Sequence, residues 1–180
     1  QLQEWNKLGL AGLKIAINLS ARQFQDSNLI SFILSMIDKY QVDPSQIEFE
    51  ITETLSMTNM ANTLRILTEL KNIGVSIAID DFGTGHSSLA YLKKFPINTL
   101  KIDKSFVLDI IEDEEDNIIV QTIISMAHSL GFNTVAEGVE TLEHVELLQN
   151  MDCDQLQGYH FSRPLPKDEF TRFLQDYMPN

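Results

Sequence analysis

Apolar and polar positions along this chain follow two different periods. Short runs rich in Ile and Val have the length and β-branched content of buried strands: KIAINL (14–19), IEFEIT (47–52), VSIAID (75–80), TLKID (99–103) and NTVAE (133–137). A sixth run, QLQGYHF (155–161), is more polar and makes a weaker strand. Between the runs, apolar residues recur at helical spacing. The spacing predicts helices over 29–40, with Asp26 or Ser27 as N-cap, over 61–73, ended by Gly74, over 117–130, ended by Gly131, and over 142–151. The opening QLQEWNKLGL also reads as helix.

Strand-then-helix alternation means parallel strands joined by right-handed crossovers. Strand starts near 14, 47, 75, 99, 133 and 155 give about 30 residues per unit, so six units fill the 180 residues. A closed eight-unit barrel takes about 250 residues. The fold class is therefore α/β: either a doubly wound sheet or a TIM-type (β/α) barrel with about six of its eight units.

The placement of polar residues favours the barrel. Asn18 ends the first run, Glu50 and Glu53 the second, Asp80 and Asp81 the third, Lys101 and Asp103 the fourth, and Glu137 and Glu140 the fifth, while Gln157 lies on the sixth. Ligand chemistry sits at the C-terminal ends of parallel strands, and only in a barrel do all those ends share one mouth. Any one carboxylate there has a bland reading, as a helix cap or a solvated side chain. Taken together they are harder to dismiss. Ala78 shares strand parity with Asp80, and Glu48 with Glu50, so the acids belong to one inward face. Unpaired inward carboxylates are costly and imply cations between them. Oxygen donors without Cys, and without His at ligand spacing, favour Mg2+ or Mn2+ over Zn2+.

Composition changes the picture in one respect. A formal charge of -13 excludes DNA or RNA tracking and docking on anionic lipid, so no direct membrane contact is expected. An anionic ligand would need a metal to supply positive charge. Cys153 is the single cysteine, which excludes an internal disulfide and suggests a reducing compartment. No apolar run reaches the roughly 18 residues of a membrane span, and the opening residues do not read as a basic-then-apolar signal peptide. Opening at Gln1, the chain reads as a piece of something longer.

Other chemistries are weakly supported. The stretch DFGTGHSS (81–88) is a glycine-bearing turn entering a helix, with neither phosphate-loop nor dinucleotide spacing; it reads equally as a turn with two positive-φ positions or as a loop gating a ligand. There is no Gly-x-Ser-x-Gly elbow, and His86, His128, His144 and His160 show no catalytic spacing. His128 reads as a surface or core histidine. Lys101 on a barrel strand alone would also suit a Schiff-base aldolase.

Five segments in order carry a resemblance: NLSARQ (18–23), EITET (50–54), DDFGTGHSSLAYLKKFPINTLKIDKSFV (80–107), AEGVET (136–141) and QGYHFSRPLP (157–166). They resemble the EAL domain family, bacterial phosphodiesterases that hydrolyse cyclic di-GMP to linear pGpG on a modified TIM barrel. The resemblance runs from about residue 14 to 170. It implies Asn18, Glu50 and Asp80 as ligands of one Mg2+ or Mn2+, with Asp80 bridging to a second ion held also by Asp81 and Glu137. It further implies Lys101 and Glu137 as catalytic, with Lys101 holding the attacking water, Glu53 as anchor of the loop at 81–86, and Gln157 as a substrate-binding residue. The chain departs from the family pattern at Asp152-Cys153-Asp154, where Gly-Cys-Asp is usual, and at Asn98, where Asp is usual.

On the same resemblance, residues 1–180 are an EAL phosphodiesterase domain lacking its first two strands and the Glu-Ala-Leu motif. The parent would be a cytoplasmic homodimer fused to an upstream sensory or GGDEF domain, anchored to a membrane, if at all, through domains elsewhere. The 180 residues alone are expected to hydrolyse little substrate and to associate through an open barrel edge. The competing reading is a degenerate EAL domain that binds cyclic di-GMP as a receptor or regulatory module.

Overall fold

A computed structural model describes residues 1–10, 12–85 and 89–177. Helix α1 (Leu2–Lys7) leads into β1 (Ile15–Asn18), followed by α2 (Ala21–Phe24), α3 (Leu29–Tyr40) and β2 (Ile47–Thr52). Next come α4 (Glu53–Thr58), α5 (Met60–Ile73), β3 (Ser76–Phe82), α6 (Leu89–Leu92), β4 (Thr99–Ile102), α7 (Lys104–Leu108) and α8 (Glu114–Ser129). The chain finishes with β5 (Asn133–Glu137), α9 (Leu142–Asn150), β6 (Gln155–Gln157) and α10 (Lys167–Tyr177).

All neighbouring strands are parallel, and their spatial order is their sequence order, β1 through β6. A doubly wound sheet reverses its order at a switch point, whereas a barrel steps always the same way. The sheet is thus an incomplete TIM-type barrel. Strand parity sorts the side chains. Phe49, Ile51, Ile77, Ile79, Leu100 and Ile102 are buried in the main core with Leu67 and Leu70 of α5, Ile124 of α8 and Leu148 of α9. Each such residue contributes about 1.5–3 kcal/mol of burial. The alternate residues Glu48, Glu50, Thr99, Lys101, Val135, Gln155 and Gln157 line a space of about 440 Å³ on the other face.

Several boundaries differ from the sequence expectation. β3 runs on past Asp80 to Phe82, with a register break between Ile79 and Phe82, so Asp81 is a strand residue as well. β6 stops at Gln157 because the Gly158 carbonyl turns back to accept the Phe161 N–H. α8 starts earlier, since Asp113 accepts from the N–H groups of Glu115 and Asp116. The N-cap of α3 is Asn28, while Asp26, two residues ahead of it, accepts the Asn28 N–H. Gly74 closes α5 at φ 99, as its position predicts.

A second apolar cluster joins the two ends of the described chain: Leu2, Trp5 and Leu10 pack with Leu174 of α10. The Trp5 indole N–H donates to Thr171 Oγ1 at 3.0 Å, and its ring lies 5.5 Å from that of Phe170. Among the described residues, no helix is long and apolar enough to cross a membrane.

Candidate active site

The strand-end polar residues gather around Lys101. Its Nζ lies 2.8 Å from Glu50 Oε1, 2.9 Å from Asp80 Oδ1 and 2.6 Å from Glu137 Oε1, with the side chain 5% exposed. A buried ammonium is costly unless its three donors are met, and here three carboxylates from three strands meet them. Burial pulls the Lys101 pKa down, but the hydrogen bonds to Glu137, Glu50 and Asp80 outweigh it and hold the pKa above the ordinary lysine value. Burial pushes Glu137 up; Lys101 counters it only in part, and the charges of Asp80 and Glu50 add to the rise. Asp81 is raised by burial, then by Asp80 and Asp103.

Asp80, Asp81 and Glu137 each offer an oxygen, and all three oxygens lie within 4.8 Å of one another. Successive residues of a regular strand point to opposite faces. Asp81 joins Asp80 because of the register break and a left-handed backbone at φ 55. That conformation costs an L-residue about 1–2 kcal/mol, with Asp and Asn tolerating it best. The donor set fits a hard divalent ion: every donor is an oxygen, and one ammonium faces the carboxylates of Glu50, Asp80, Asp81 and Glu137. The uncompensated negative charge is what such an ion would balance.

The remaining expected residues flank this centre. Asn18 pairs in register with Glu50 at the end of β1, and Gln157 with Glu137 at the end of β6. Glu53, only 2% exposed, accepts the N–H groups of Gly83 at 2.9 Å and Gly85 at 3.3 Å through Oε2. Its Oε1 has no partner among the described residues. A methyl group on Gly85 would lie 2.6 Å from that oxygen, so any larger residue would have to push the Glu53 carboxylate aside. Among the described residues of the turn, the positive-φ positions are Asp81 and Gly83. His86, Ser87 and Ser88 lie outside the described residues.

Some contacts had no signal in the spacing. His128 Nε2 lies 2.9 Å from Asp154 Oδ2, and the same carboxylate accepts the Thr134 N–H and hydroxyl, each at 2.8 Å. The acid sits between the hydroxyl and the imidazole, the wrong order for a nucleophile with its base. Buried His144 accepts the Glu140 N–H at Nδ1 (3.3 Å). Asn98 accepts the Ile77 N–H and Lys71 Nζ before β4, a structural contact.

The family model described as EAL domain matches residues 1–164. The signaling protein YkoW of Bacillus subtilis is 47% identical over 174 residues, 97% of this chain and 22% of YkoW. MucR of Pseudomonas aeruginosa, a bifunctional diguanylate cyclase/cyclic di-GMP phosphodiesterase, is 40% identical over 169 residues, 94% of this chain and 25% of MucR. The structure of the PaMucR phosphodiesterase in complex with c-di-GMP aligns at TM-score 0.91 and 39% identity, over 93% of this chain and 68% of that one. The manganese/cy-diGMP complex of Klebsiella pneumoniae BlrP1 aligns at TM-score 0.80 and 33% identity, over 89% and 41%. The chain spans 22% to 25% of the length of such curated relatives.

Proposed function

Because the chain belongs to the EAL domain family, we propose that its complete domain hydrolyses cyclic di-GMP to linear pGpG with two bound divalent ions, Mg2+ or Mn2+. The observation that carries this reading is the convergence of Asp80, Asp81 and Glu137 within 4.8 Å beside Lys101. Asn18, Glu50 and Asp80 would hold one ion, and Asp80, Asp81 and Glu137 the other. When bound, the ions supply a water of lowered pKa and neutralise the phosphate for in-line attack. Lys101 stays an ammonium and does not take the water's proton; it would orient the attacking water through an N–H freed when the ions draw one of its three carboxylates away. The same raised pKa opposes a Schiff-base role, which needs a lysine of depressed pKa. Gln157, beside Glu137 in register, would bind substrate, and Glu53 would hold the 83–85 turn over the ions.

Residues 1–180 as the later part of an EAL domain, with the Glu-Ala-Leu segment and two strands upstream, belong to the same proposal. So do an upstream sensory or GGDEF domain, a cytoplasmic setting and a homodimer. Apolar surface exposed by Leu108, Ile111 and Ile118 at the α7–α8 junction is available to such a dimer. The test is cyclic di-GMP turnover by the full-length parent with and without chelator. Turnover that stops with chelator is expected. Binding without turnover in excess Mn2+ would favour the receptor reading, and turnover indifferent to chelator would refute the metal sites.

A further inference from the structure

The segment after Glu137 touches its neighbours at backbone distance on both sides. Towards α7, a methyl group on Gly138 would lie 2.7 Å from Lys104 Cβ. Towards β6, a methyl group on Gly158 would lie 2.0 Å from the Val139 carbonyl oxygen and 2.4 Å from its nitrogen. Two hydrogen bonds straddle Gly158: Val139 N–H donates to the Gln157 carbonyl at 3.1 Å, and His160 N–H to the Val139 carbonyl at 3.0 Å. Together they carry the Glu137–Gln157 register beyond the end of β5. The next amide, that of Glu140, is held by Nδ1 of buried His144. Val139 itself is fully buried.

We propose that Gly158 and His144 are positioning residues that clamp the backbone of 138–140 and so set the Glu137 carboxylate against Lys101, Asp80 and Asp81. The inference rests on the reading of Glu137 as a metal ligand. Neither residue reaches the carboxylate; both act through the backbone that follows it. Any side chain at Gly158 would force the two backbones apart by about 1 Å or more, a misplacement that costs about 100-fold in rate at a preorganised centre.

The test uses the complete protein and reads three quantities: free Mn2+ by electron paramagnetic resonance, amide exchange at Val139 and His160, and turnover. Gly158→Ala should lose protection at both amides, weaken Mn2+ binding at least tenfold and lower kcat about 100-fold. Gly131→Ala is the control for lost stability alone, since Gly131 has φ 79 and nothing within 4 Å of an added methyl. It should leave Mn2+ affinity within twofold of the parent. Should Gly158→Ala fail to fold, His144→Leu removes the Glu140 acceptor and should weaken Mn2+ severalfold, with His144→Gln restoring it. Unchanged Mn2+ affinity in the folded clamp variants, or equal weakening in Gly131→Ala, overturns the clamp and leaves the metal reading standing. A parent that binds no Mn2+ overturns both.

Discussion

Lys101 and Glu137 meet at 2.6 Å although strand register sets Lys101 beside Val135, two residues short of Glu137. The lysine climbs towards the C-terminal ends of the strands and gathers acids from β2, β3 and β5 on the way. It is the only positive side chain paired with them among the described residues.

Replacing it exposes that dependence. Lys101→Met leaves Glu50, Asp80 and Glu137 facing one another and should cost about 3–5 kcal/mol in metal-free protein, read by urea unfolding. Saturating Mn2+ should recover much of the loss. Turnover should fall about 100–1000-fold even then, because the donor to the water is gone. Asp80→Asn should abolish turnover while leaving the fold largely intact, and retained turnover in both variants would overturn the assignment.

Glu53 and Gly85 are matched to each other. Gly85→Ala would drive a methyl group onto Glu53 Oε1 and should lower turnover more than stability. Glu53→Ala frees the Gly83 and Gly85 N–H groups, at about 1–3 kcal/mol if they stay buried, and should likewise release the turn. Comparable kcat in Glu53→Ala and the parent would show that the turn needs no anchor.

Away from the site, Asp154 should tie stability to acidity. Burial alone would raise its pKa, but hydrogen bonds from His128 and from the Thr134 amide and hydroxyl outweigh it and hold the pKa below the ordinary value of 3.8. A folded pKa below the unfolded one favours folding when deprotonated. The contribution is therefore full above the ordinary aspartate range and lost as pH falls through the depressed folded value. Urea midpoints followed from neutral pH into acid should fall less steeply in Asp154→Asn than in the parent.

Trp5 is the one tryptophan of these 180 residues, so their indole fluorescence reports on the cluster in which α1 packs against α10. Deleting α10 from Lys167 onward should shift that emission to the red. Thr171→Val should cost about 1–3 kcal/mol by leaving the indole N–H without its acceptor. An unshifted spectrum on deletion would mean that Trp5 is shielded by something other than α10.

The sequence made legible whatever repeats or ends an element. Glu48 and Glu50, or Thr99 and Lys101, share a face because strand side chains have period two, and Gly74 ends its helix because few residues besides glycine accept φ 99. Asp81 breaks that parity. Nothing in the local sequence announces a register break, so its place beside Asp80 comes from how β3 meets β4. His128 and Asp154 are 26 residues apart and meet only because α8 and the turn before β6 pack across β5. Gly158 lies inside the sixth run and shows no sign of a close approach until the Val139 backbone is found against it.

With Lys101 as an internal counter-ion, the strand-end acids should not need a divalent ion to remain folded together. A zinc finger, by contrast, unravels when its metal leaves. On the proposed metal-dependent reading, this barrel should stay assembled while empty and gain or lose function as ion supply varies, which would make metal concentration a throttle on output and not a condition of survival.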